Sequence, residues 1–476
     1  MHHQPHTVFR NVNVIPMDRE GIIAEQSVIV RGSKIAWIGP VAKAPAGRDA
    51  VRIDGKGRYL MPGLVDMHVH VEGEYQFPLW LANGVTTVRN MWGSPEILNM
   101  RRKIDSGKLL GPALFTSGPI LNRAGTRCTA VETPGRAREV VAEIKKDGYD
   151  FVKVYDGISR EVYNALIKAA KQHNIPVIGH VPIEVGIEHA LASRHHCIEH
   201  LTGYDLFLES DGSPLNGNAG NPARFQMWRY ADLSRMPRIV EATREAGSWN
   251  AVSLTVFKNK LTREAMEREL KRPCMSYVPQ RVKDGWFTKH GWVSRMSESA
   301  SRDVMAGGVS RRRLIRSLKD AGAGIVLGTD DPDPLLVSGV CVHEELQNLV
   351  EAGLTPYEAV RAGTSDAADC LGAADQFGML TVGQRADLLM VEESPLADVA
   401  NAAKIAGVMV RGRWLPQAEL QVMLNTLTKQ HVPDETRDDP QGSVSLRRSD
   451  HFHLKPAAPA SDMPKGKRRS SSGMPD

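Results

Sequence analysis

The chain has 476 residues, of which 42% are hydrophobic and 24% are charged. This is ordinary globular composition, and the length suffices for one large barrel with an accessory domain. The formal net charge is only +5, with basic residues scattered among acidic ones, so the composition argues against a nucleic-acid partner.

The chain opens with short β-rich runs at residues 8–14 and 27–38, separated by Asp, Arg and Gly. Runs of the same kind return at residues 378–391 and 405–415. Strands on both sides of a long α/β region predict a small β-sandwich domain built from both chain ends, residues 1–58 plus 373–425.

Between residues 59 and 372, apolar β-type runs alternate with segments of helical period, which is typical of βα units around a parallel sheet. The eight candidate strands are 64–71, 85–91, 113–121, 151–155, 177–181, 197–201, 251–257 and 325–330. Helices are predicted at 95–105, 136–146, 160–173, 184–193, 234–246 and 311–321. Eight strands close a (β/α)₈ TIM barrel, so we predict an α/β fold with the barrel over residues 59–372.

Three stretches depart from this alternation. Residues 205–230 and 258–308 follow predicted strands and would lie over the top of the barrel as lid and substrate loops. Residues 426–476 are rich in Pro, Ser, Asp and Arg, so we predict a disordered tail.

Targeting and redox signals are weak. The five cysteines are Cys128, Cys197, Cys274, Cys341 and Cys370. They form no CxxC or finger pattern, and a disulfide framework is not expected. The first residues lack the charged segment and apolar run of a secretory signal, and no apolar stretch is long enough for a membrane span. We therefore predict a cytoplasmic protein with no membrane partner.

His68-Val69-His70 closes the first predicted strand. Residues two apart on a strand point the same way, so the two imidazoles can converge on one cation. Alone, this pattern is weak, because such a pair is more often solvated or hydrogen-bonded. His180 and His200 end two later predicted strands, and barrel strand ends are where catalytic groups collect.

The segment Met-Pro-Gly-Leu-Val-Asp-Met-His-Val-His closely resembles the first-strand signature of the amidohydrolase superfamily, and the resemblance extends to about Leu415. In that family a strand Lys or Glu, two later His residues and a last-strand Asp complete a metal site. The resemblance implies two divalent cations, Zn²⁺ first and Mn²⁺, Co²⁺ or Fe²⁺ as alternatives. Their implied ligands are His68, His70, Lys153, His180, His200 and Asp330.

Lys153 lies inside the apolar strand Phe-Val-Lys-Val-Tyr. Burial of an unpaired ammonium lowers its pKa and frees a neutral amine for CO₂. The resemblance implies a carbamate, formed from CO₂ on Lys153, that bridges the metals; the alternative is a barrel lysine paired with an acid. In Gly-Thr-Asp-Asp-Pro, the register favours Asp330 over Asp331, because consecutive strand side chains diverge.

The resemblance also implies a mechanism. Two cations would lower the pKa of a shared water toward ~7, and Asp330 would pass its proton to the leaving nitrogen. Tyr204 is a candidate oxyanion donor, with a loop anchor as the alternative, and His343 would contact substrate or simply begin a helix. Arg89 and Asn90 would orient metal ligands or bind a substrate carboxylate.

The likeness is strongest to imidazolonepropionase-related proteins, Xaa-Pro dipeptidases and ochratoxin-cleaving amidases, on strings such as Leu-Ala-Asn-Gly-Val-Thr-Thr-Val-Arg-Asn-Met. In the family the strand lysine goes with the amidase and dipeptidase members. We therefore predict hydrolysis of a small-molecule amide: an N-acyl amino acid, an Xaa-Pro type dipeptide or an ochratoxin-like amide. A mononuclear cyclic-amide hydrolase or deaminase and a non-catalytic scaffold are the alternatives, and homo-oligomer formation stays open.

Overall fold

The computed structural model describes residues 6–45, 50–218, 223–286 and 296–431. The predicted tail falls mostly outside this range, but its first residues, 426–431, belong to a helix that begins at Gln417. No helix in the described ranges combines the length and apolarity needed to cross a lipid bilayer.

The strands of the described residues form the small sheet and the barrel. They are β1 (His6–Val14), β2 (Ile23–Arg31), β3 (Lys34–Pro40), β4 (Ala50–Asp54), β5 (Tyr59–Pro62), β6 (Leu64–Val69), β7 (Val85–Asn90), β8 (Ala113–Thr116), β9 (Leu121–Asn122), β10 (Thr129–Ala130), β11 (Val152–Val154), β12 (Val177–Gly179), β13 (Cys197–Glu199), β14 (Trp249–Ala251), β15 (Ile325–Val326), β16 (Leu388–Val391), β17 (Ile405–Val410) and β18 (Arg413–Pro416).

The helices lie mainly between the barrel strands. The α-helices are α1 (Phe77–Ala82), α2 (Pro95–Asp105), α3 (Pro134–Asp147), α4 (Arg160–Gln172), α5 (Ile187–Ala192), α6 (Tyr204–Leu208), α7 (Ala223–Gln226), α8 (Met236–Ala246), α9 (Arg263–Leu270), α10 (Gln280–Trp286), α11 (Glu298–Ala306), α12 (Gly308–Asp320), α13 (Val340–Glu351), α14 (Pro356–Ala362), α15 (Ser365–Cys370) and α16 (Gln417–His431). The 3-10 helices are Val41–Lys43, Glu74–Gln76, Met227–Tyr230, Leu233–Arg235, Leu254–Lys260, Pro273–Tyr277 and Val399–Ala403.

Eight parallel strands close the predicted barrel. The pairs β6–β7–β8 and β11–β12–β13–β14–β15 form two runs. A bridge between Ser117 and Phe151 joins β8 to β11, and a bridge between Val69 and Asp331 joins β6 to the chain after β15. The (β/α)₈ prediction is therefore confirmed.

The seventh strand is shorter and earlier than predicted. It ends at Ala251, and Ser253 takes a left-handed conformation with φ 45° before a 3-10 helix. The backbone N–H groups of Leu254 and Thr255 donate to the Glu345 carboxylate, each at 2.7 Å. This distant acceptor lets the chain leave the sheet, so the predicted strand over 251–257 is wrong.

The small β domain is built from both chain ends, as predicted. Its strands follow the order β18-β17-β16-β5-β1-β2-β3, with β4 beside the first half of β1 and β5 beside the second half. It is one sheet that branches at β1. Tyr59–Pro62, which the predicted boundary assigns to the barrel, pairs with β1 and β16 in this sheet.

The two predicted lid segments are partly helical. Residues 205–230 contain most of α6, all of α7 and a 3-10 helix, and residues 258–308 contain α9, α10 and α11. Each lies between a barrel strand and the helix that leads to the next strand, α8 in the first case and α12 in the second.

The inward-facing residues of the barrel change character along each strand. At the amino-terminal end Phe151, Ile178 and Cys197 pack together with residues of α15. Two residues further along, the same strands present Lys153, His180 and Glu199, all buried. Because the side-chain period of a strand is two, an apolar floor and a polar top layer follow from the sequence.

Candidate metal centre

Three predicted ligands converge at the carboxyl ends of the strands. The ligand atoms of His68, His200 and Asp330 all lie within 4.8 Å of one another. Asp330 Oδ1 is 3.2 Å from Nε2 of His68, and Asp330 Oδ2 is 3.6 Å from Nε2 of His200. An imidazole pair with a carboxylate is a donor set that Zn²⁺ accepts.

Two further histidines surround this group. His70 Nε2 lies 3.1 Å from Asp330 Oδ1, and the His180 ring centroid is 5.3 Å from that of His200. Four strand-end histidines and Asp330 thus share one location. Burial lowers the pKa of His70 to about 4 and lowers that of His180, which keeps both imidazoles neutral, the state that binds metal.

Left-handed backbone at two strand ends helps this convergence. His200 has φ 57° and Asp330 has φ 67°. Consecutive side chains on a regular strand diverge. Because the chain turns at His200, both Glu199 and His200 approach His68: Glu199 by a hydrogen bond and His200 with ring centroids 4.4 Å apart.

Buried nitrogens without partners test whether these residues fit a cation. His68 Nε2, His70 Nδ1 and His200 Nδ1 are buried and have no hydrogen-bond partner among the described residues. Buried polar atoms are almost always satisfied, so each such atom needs an explanation. Metal coordination explains His68 Nε2, and the donor set as a whole fits a divalent cation.

A carboxylate orients His68 from behind. Glu199 Oε2 is 2.7 Å from His68 Nδ1, and Arg89 Nη2 donates to Glu199 Oε1 at 2.7 Å. All three side chains are buried. A carboxylate only accepts, so Nδ1 carries the proton and Nε2 keeps its lone pair for a metal.

His180 has an equivalent support. Its Nδ1 lies 2.9 Å from Asp156 Oδ1, which also accepts from Arg224 Nη1 at 2.6 Å. Arg224 Nε in turn donates to Asp205 at 2.6 Å. Burial opposes the charge of Asp156, but Arg224 and His180 outweigh it and hold the pKa of this carboxyl below its usual value. The ring of Tyr155 stacks on His180 at 4.0 Å.

Apart from Arg89, these supports were not predicted. Glu199 directly precedes His200 in an apolar strand, which was an available signal. Asp205 and Arg224 lie in the segment predicted as a lid, where no periodicity points to them.

Lys153 is 1% exposed on β11. Burial lowers its pKa to about 8, while the charges of Asp330 and Glu199 act in the opposite direction. The first step of the sequence argument, a buried lysine with a lowered pKa, therefore agrees with the structure.

The two consecutive aspartates point to different partners. Asp331 Oδ2 accepts from Trp80 Nε1 at 2.9 Å, whereas Asp330 faces the histidines. Burial acts to raise the pKa of Asp330. The electrostatic interactions with His200 and His68 outweigh burial and hold this pKa well below its usual value. Burial raises the pKa of Asp331 to about 7.

Tyr204 and His343 do not join this group. Tyr204 is 0% exposed, with its hydroxyl 2.8 Å from Thr243 Oγ1 and 2.9 Å from Asn250 Oδ1. These contacts favour the alternative prediction, a buried anchor, over the oxyanion role. His343 Nε2 lies 3.1 Å from the carbonyl oxygen of Asn83, so this nitrogen is occupied by the backbone beyond α1.

Arg89 and Asn90 are too buried for substrate, each at 0% exposure. Arg89 donates to Glu199 and to the Met67 carbonyl. Asn90 accepts from the Val71 N–H at 2.9 Å and donates to Thr116. Of the two predicted roles, the structure favours orientation of the metal ligands and argues against binding of a substrate carboxylate.

One more histidine and several tryptophans lie in the barrel region. His195, between α5 and β13, is 0% exposed. Trp80, Trp228 and Trp286 are buried, Trp92 lies 6.4 Å from the His70 ring, and Trp292 is outside the described residues. Only Trp92 of these is shown beside a predicted ligand.

Comparison with known proteins gives a family and a fold. The family model described as "Amidohydrolase family" matches residues 59–415. An imidazolonepropionase of Shewanella baltica (strain OS223) is 25% identical over 429 residues, covering 84% of this chain and 93% of that one. An adenine deaminase of Moorella thermoacetica is 24% identical over 405 residues, 83% of this chain. The match spans only 54% of that deaminase, about half its length.

Solved structures agree on the fold. A bottromycin amidohydrolase has a TM-score of 0.73 at 24% identity, covering 90% of this chain and 91% of that one. The A. niger ochratoxinase has a TM-score of 0.63 at 19% identity, covering 87% and 96%. At these identities the likeness shows the fold alone. The family match, in contrast, extends through the whole barrel and into both parts of the small sheet, and the chain belongs to the Amidohydrolase family.

Proposed function

We propose that this chain is a binuclear metal-dependent hydrolase that cleaves the C–N bond of a linear amide. The observation that carries the proposal is the convergence of His68, His200 and Asp330 within 4.8 Å at the barrel mouth. His70, His180 and Lys153 would complete the ligand set, with Zn²⁺ as the first candidate metal. Bound divalent cations would polarise the substrate carbonyl and lower the pKa of water.

Asp330 would be the proton-transfer group. It is 8% exposed and sits among imidazoles that favour its ionised form. A carboxylate at this position would accept a proton from attacking water and return it to the leaving nitrogen, so that one residue serves as base and then as acid. The hydrogen-bonded pairs Glu199–His68 and Asp156–His180 would keep the imidazoles in the orientation and tautomer that the reaction needs.

Lys153 would hold CO₂. With its pKa lowered to about 8, a useful fraction of the amine is neutral near neutral pH. Addition of the amine nitrogen to CO₂ forms a carbamate and releases one proton, and the carbamate oxygens would then supply two further anionic donors beside Asp330.

The substrate would be an N-acyl amino acid, an Xaa-Pro type dipeptide or an ochratoxin-like amide. Similar folds are found in an Xaa-Pro dipeptidase with bound methionine and in ochratoxinase, which supports this range without selecting within it. The proposal includes the cytoplasm as location, supported by five free cysteines.

Elemental analysis of the purified protein would test the metal content, together with native mass spectrometry for an added CO₂ on Lys153. We expect about two metals per chain, a modified lysine, and turnover of at least one member of an amide panel. The Lys153→Met variant should lose the added mass and the turnover, and a chelator should remove activity that Zn²⁺ restores. A metal-loaded chain inert on the whole panel would contradict the proposal in favour of a non-catalytic scaffold.

Cyclic-amide hydrolysis is the second candidate. It is favoured by the match to imidazolonepropionase, which extends over 93% of that protein. One metal per chain, an unmodified Lys153 and turnover of a cyclic amide would select this reaction over the first.

A further inference from the structure

A buried arginine near the start of α12 has no acidic partner among the residues that the structure describes. Arg311 is 5% exposed, and its Nη2 donates to the Val304 carbonyl at 3.0 Å. Its Nε and Nη1 are buried with no hydrogen-bond partner in the described parts of the chain. The guanidinium lies over the Phe257 ring, 3.7 Å from its centroid. A buried cation with two unsatisfied nitrogens is costly, so this side chain is suited to an anion.

A second guanidinium reaches the same place. A Cβ built on Gly308 would lie 3.5 Å from Arg311 Nη2 and 3.4 Å from Arg312 Nη1. Burial, and then the charge of Arg312, lower the pKa of Arg311 to about 9. Gly308 is the first residue of the 13-residue helix α12, so both arginines belong to the first five residues of this helix.

A cavity opens between these groups. Its volume is about 90 Å³, and its wall includes Leu254, Phe257 and Asn348 together with Gly308, Arg311 and Arg312. The exposed carboxylate of Glu351 also borders it. A single water needs roughly 10–15 Å³ of such space, so a small polyatomic anion fits.

We propose that this cavity, the Arg311 pocket, binds a small oxyanion of the phosphate or carboxylate type between Arg311 and Arg312. None of the predicted metal ligands borders it, so it is separate from the metal centre. The anion oxygens would accept from Arg311 Nη2, which has a second N–H beside the one that it donates to Val304, and from Arg312 Nη1. Charge-assisted bonds of this kind are the stronger class.

The pocket is linked to a wall of the barrel mouth. Leu254 and Phe257 belong to the 3-10 helix that directly follows β14. Asn348 donates to Glu345 at 3.3 Å, and Glu345 holds the first N–H groups of that helix. An anion in the pocket would therefore stabilise this segment, which makes thermal stability a useful readout.

The test is calorimetric titration of the metal-loaded protein with inorganic phosphate at constant ionic strength in chloride. Arg311→Met removes the buried guanidinium, and Arg313→Met is the matched control, since Arg313 is exposed on the same helix and does not border the cavity. Phosphate can also bind metal ions. That event is common to all variants, so the difference between them is the diagnostic quantity.

We expect Arg311→Met to lose at least tenfold in phosphate affinity and to lose the phosphate-induced rise in melting temperature, while Arg313→Met keeps both. Without phosphate, Arg311→Met should be at least as stable as the parent, because replacing an unpaired buried charge by an apolar side chain is neutral or favourable. If Arg311→Met misfolds, Arg312→Met provides a second test, because Arg312 is exposed. This variant should lower the phosphate affinity several-fold.

A parallel titration with acetate identifies the class of anion. Tighter binding of phosphate indicates phosphate-type ligands, and tighter binding of acetate indicates carboxylate-type ligands. Equal phosphate binding by Arg311→Met and Arg313→Met would overturn the proposal. The same conclusion follows if neither anion raises the melting temperature of the parent by more than it raises that of Arg311→Met.

Discussion

Glu199 lies 2.7 Å from His68 Nδ1, on the side of the imidazole opposite Asp330. One side chain therefore fixes which nitrogen of His68 carries the proton. Glu199 also accepts from the buried Arg89, so it neutralises the only guanidinium shown to contact it. We therefore expect replacement of Glu199 to affect metal binding more directly than substrate binding.

For Glu199→Gln we expect a loss of about 10–100-fold in metal affinity or turnover, because the ionised acceptor behind His68 is removed. The loss of metal affinity can be measured by metal titration at a temperature where circular dichroism shows that the variant is folded. The exposed Glu184→Gln serves as control. Unchanged metal affinity in Glu199→Gln would show that His68 does not depend on this contact.

The adjacent aspartates should separate by role. Asp330→Asn should lower kcat by about 10²–10⁴-fold, since an amide cannot take the proton. Asp331→Asn should keep kcat within the same order of magnitude, because an amide oxygen still accepts from Trp80 and burial already leaves Asp331 partly protonated at neutral pH. Steady-state kinetics of both variants decide it, and equal losses would contradict the assignment to Asp330.

Tyr204→Phe should affect stability rather than catalysis. The change removes a hydroxyl bonded to Thr243 and Asn250, which costs about 1–3 kcal/mol in the free energy of unfolding when the partners stay buried. Urea denaturation and kcat/KM should be measured together. A large fall in kcat/KM with unchanged stability would restore Tyr204 as an oxyanion donor.

The buried His195 should make the stability of the fold fall at acid pH. Its Nε2 is 3.1 Å from the Cys197 carbonyl and its Nδ1 is 3.2 Å from the Tyr163 hydroxyl. Burial lowers the pKa of His195 from 6.5 to about 4. Between these values the unfolded chain binds the proton and the folded chain does not, so stability is full above pH 6.5 and falls toward pH 4.

The measurement compares the parent with His195→Gln by chemical denaturation at pH 7 and pH 4.5. The stability difference between them should be smaller at pH 4.5 by about 2.5 kcal/mol at most. Contributions from other titrating groups cancel in this difference. A difference that stays constant with pH would show that His195 does not titrate in this way.

Sequence reasoning located the barrel strands because each is an apolar run bounded by turn residues. It failed at residues 251–257, where Val252 and Val256 continue the apolar pattern but Glu345 draws the backbone out of the sheet. Local pattern cannot show an acceptor that lies about ninety positions away in the chain.

The predicted ligand set was implied by the family resemblance, and the histidines at the predicted strand ends agreed with it. Of their supports, Arg89 was named from the sequence, but Glu199, Asp156, Asp205 and Arg224 were not. Arg224 reaches Asp156 from another part of the chain, and its role exists only after both segments have folded. Tyr204 illustrates the reverse error: proximity to His200 in sequence did not bring its hydroxyl to the same place.

The central position of β5 in the small sheet has a consequence for synthesis. One edge of β5 pairs with β1, and its other edge pairs with β16. During translation this second edge has no partner until the ribosome has synthesised β16, which ends at Val391 and follows the whole barrel in the chain. An exposed strand edge recruits other strands, so a nascent or prematurely terminated chain would be prone to self-association there.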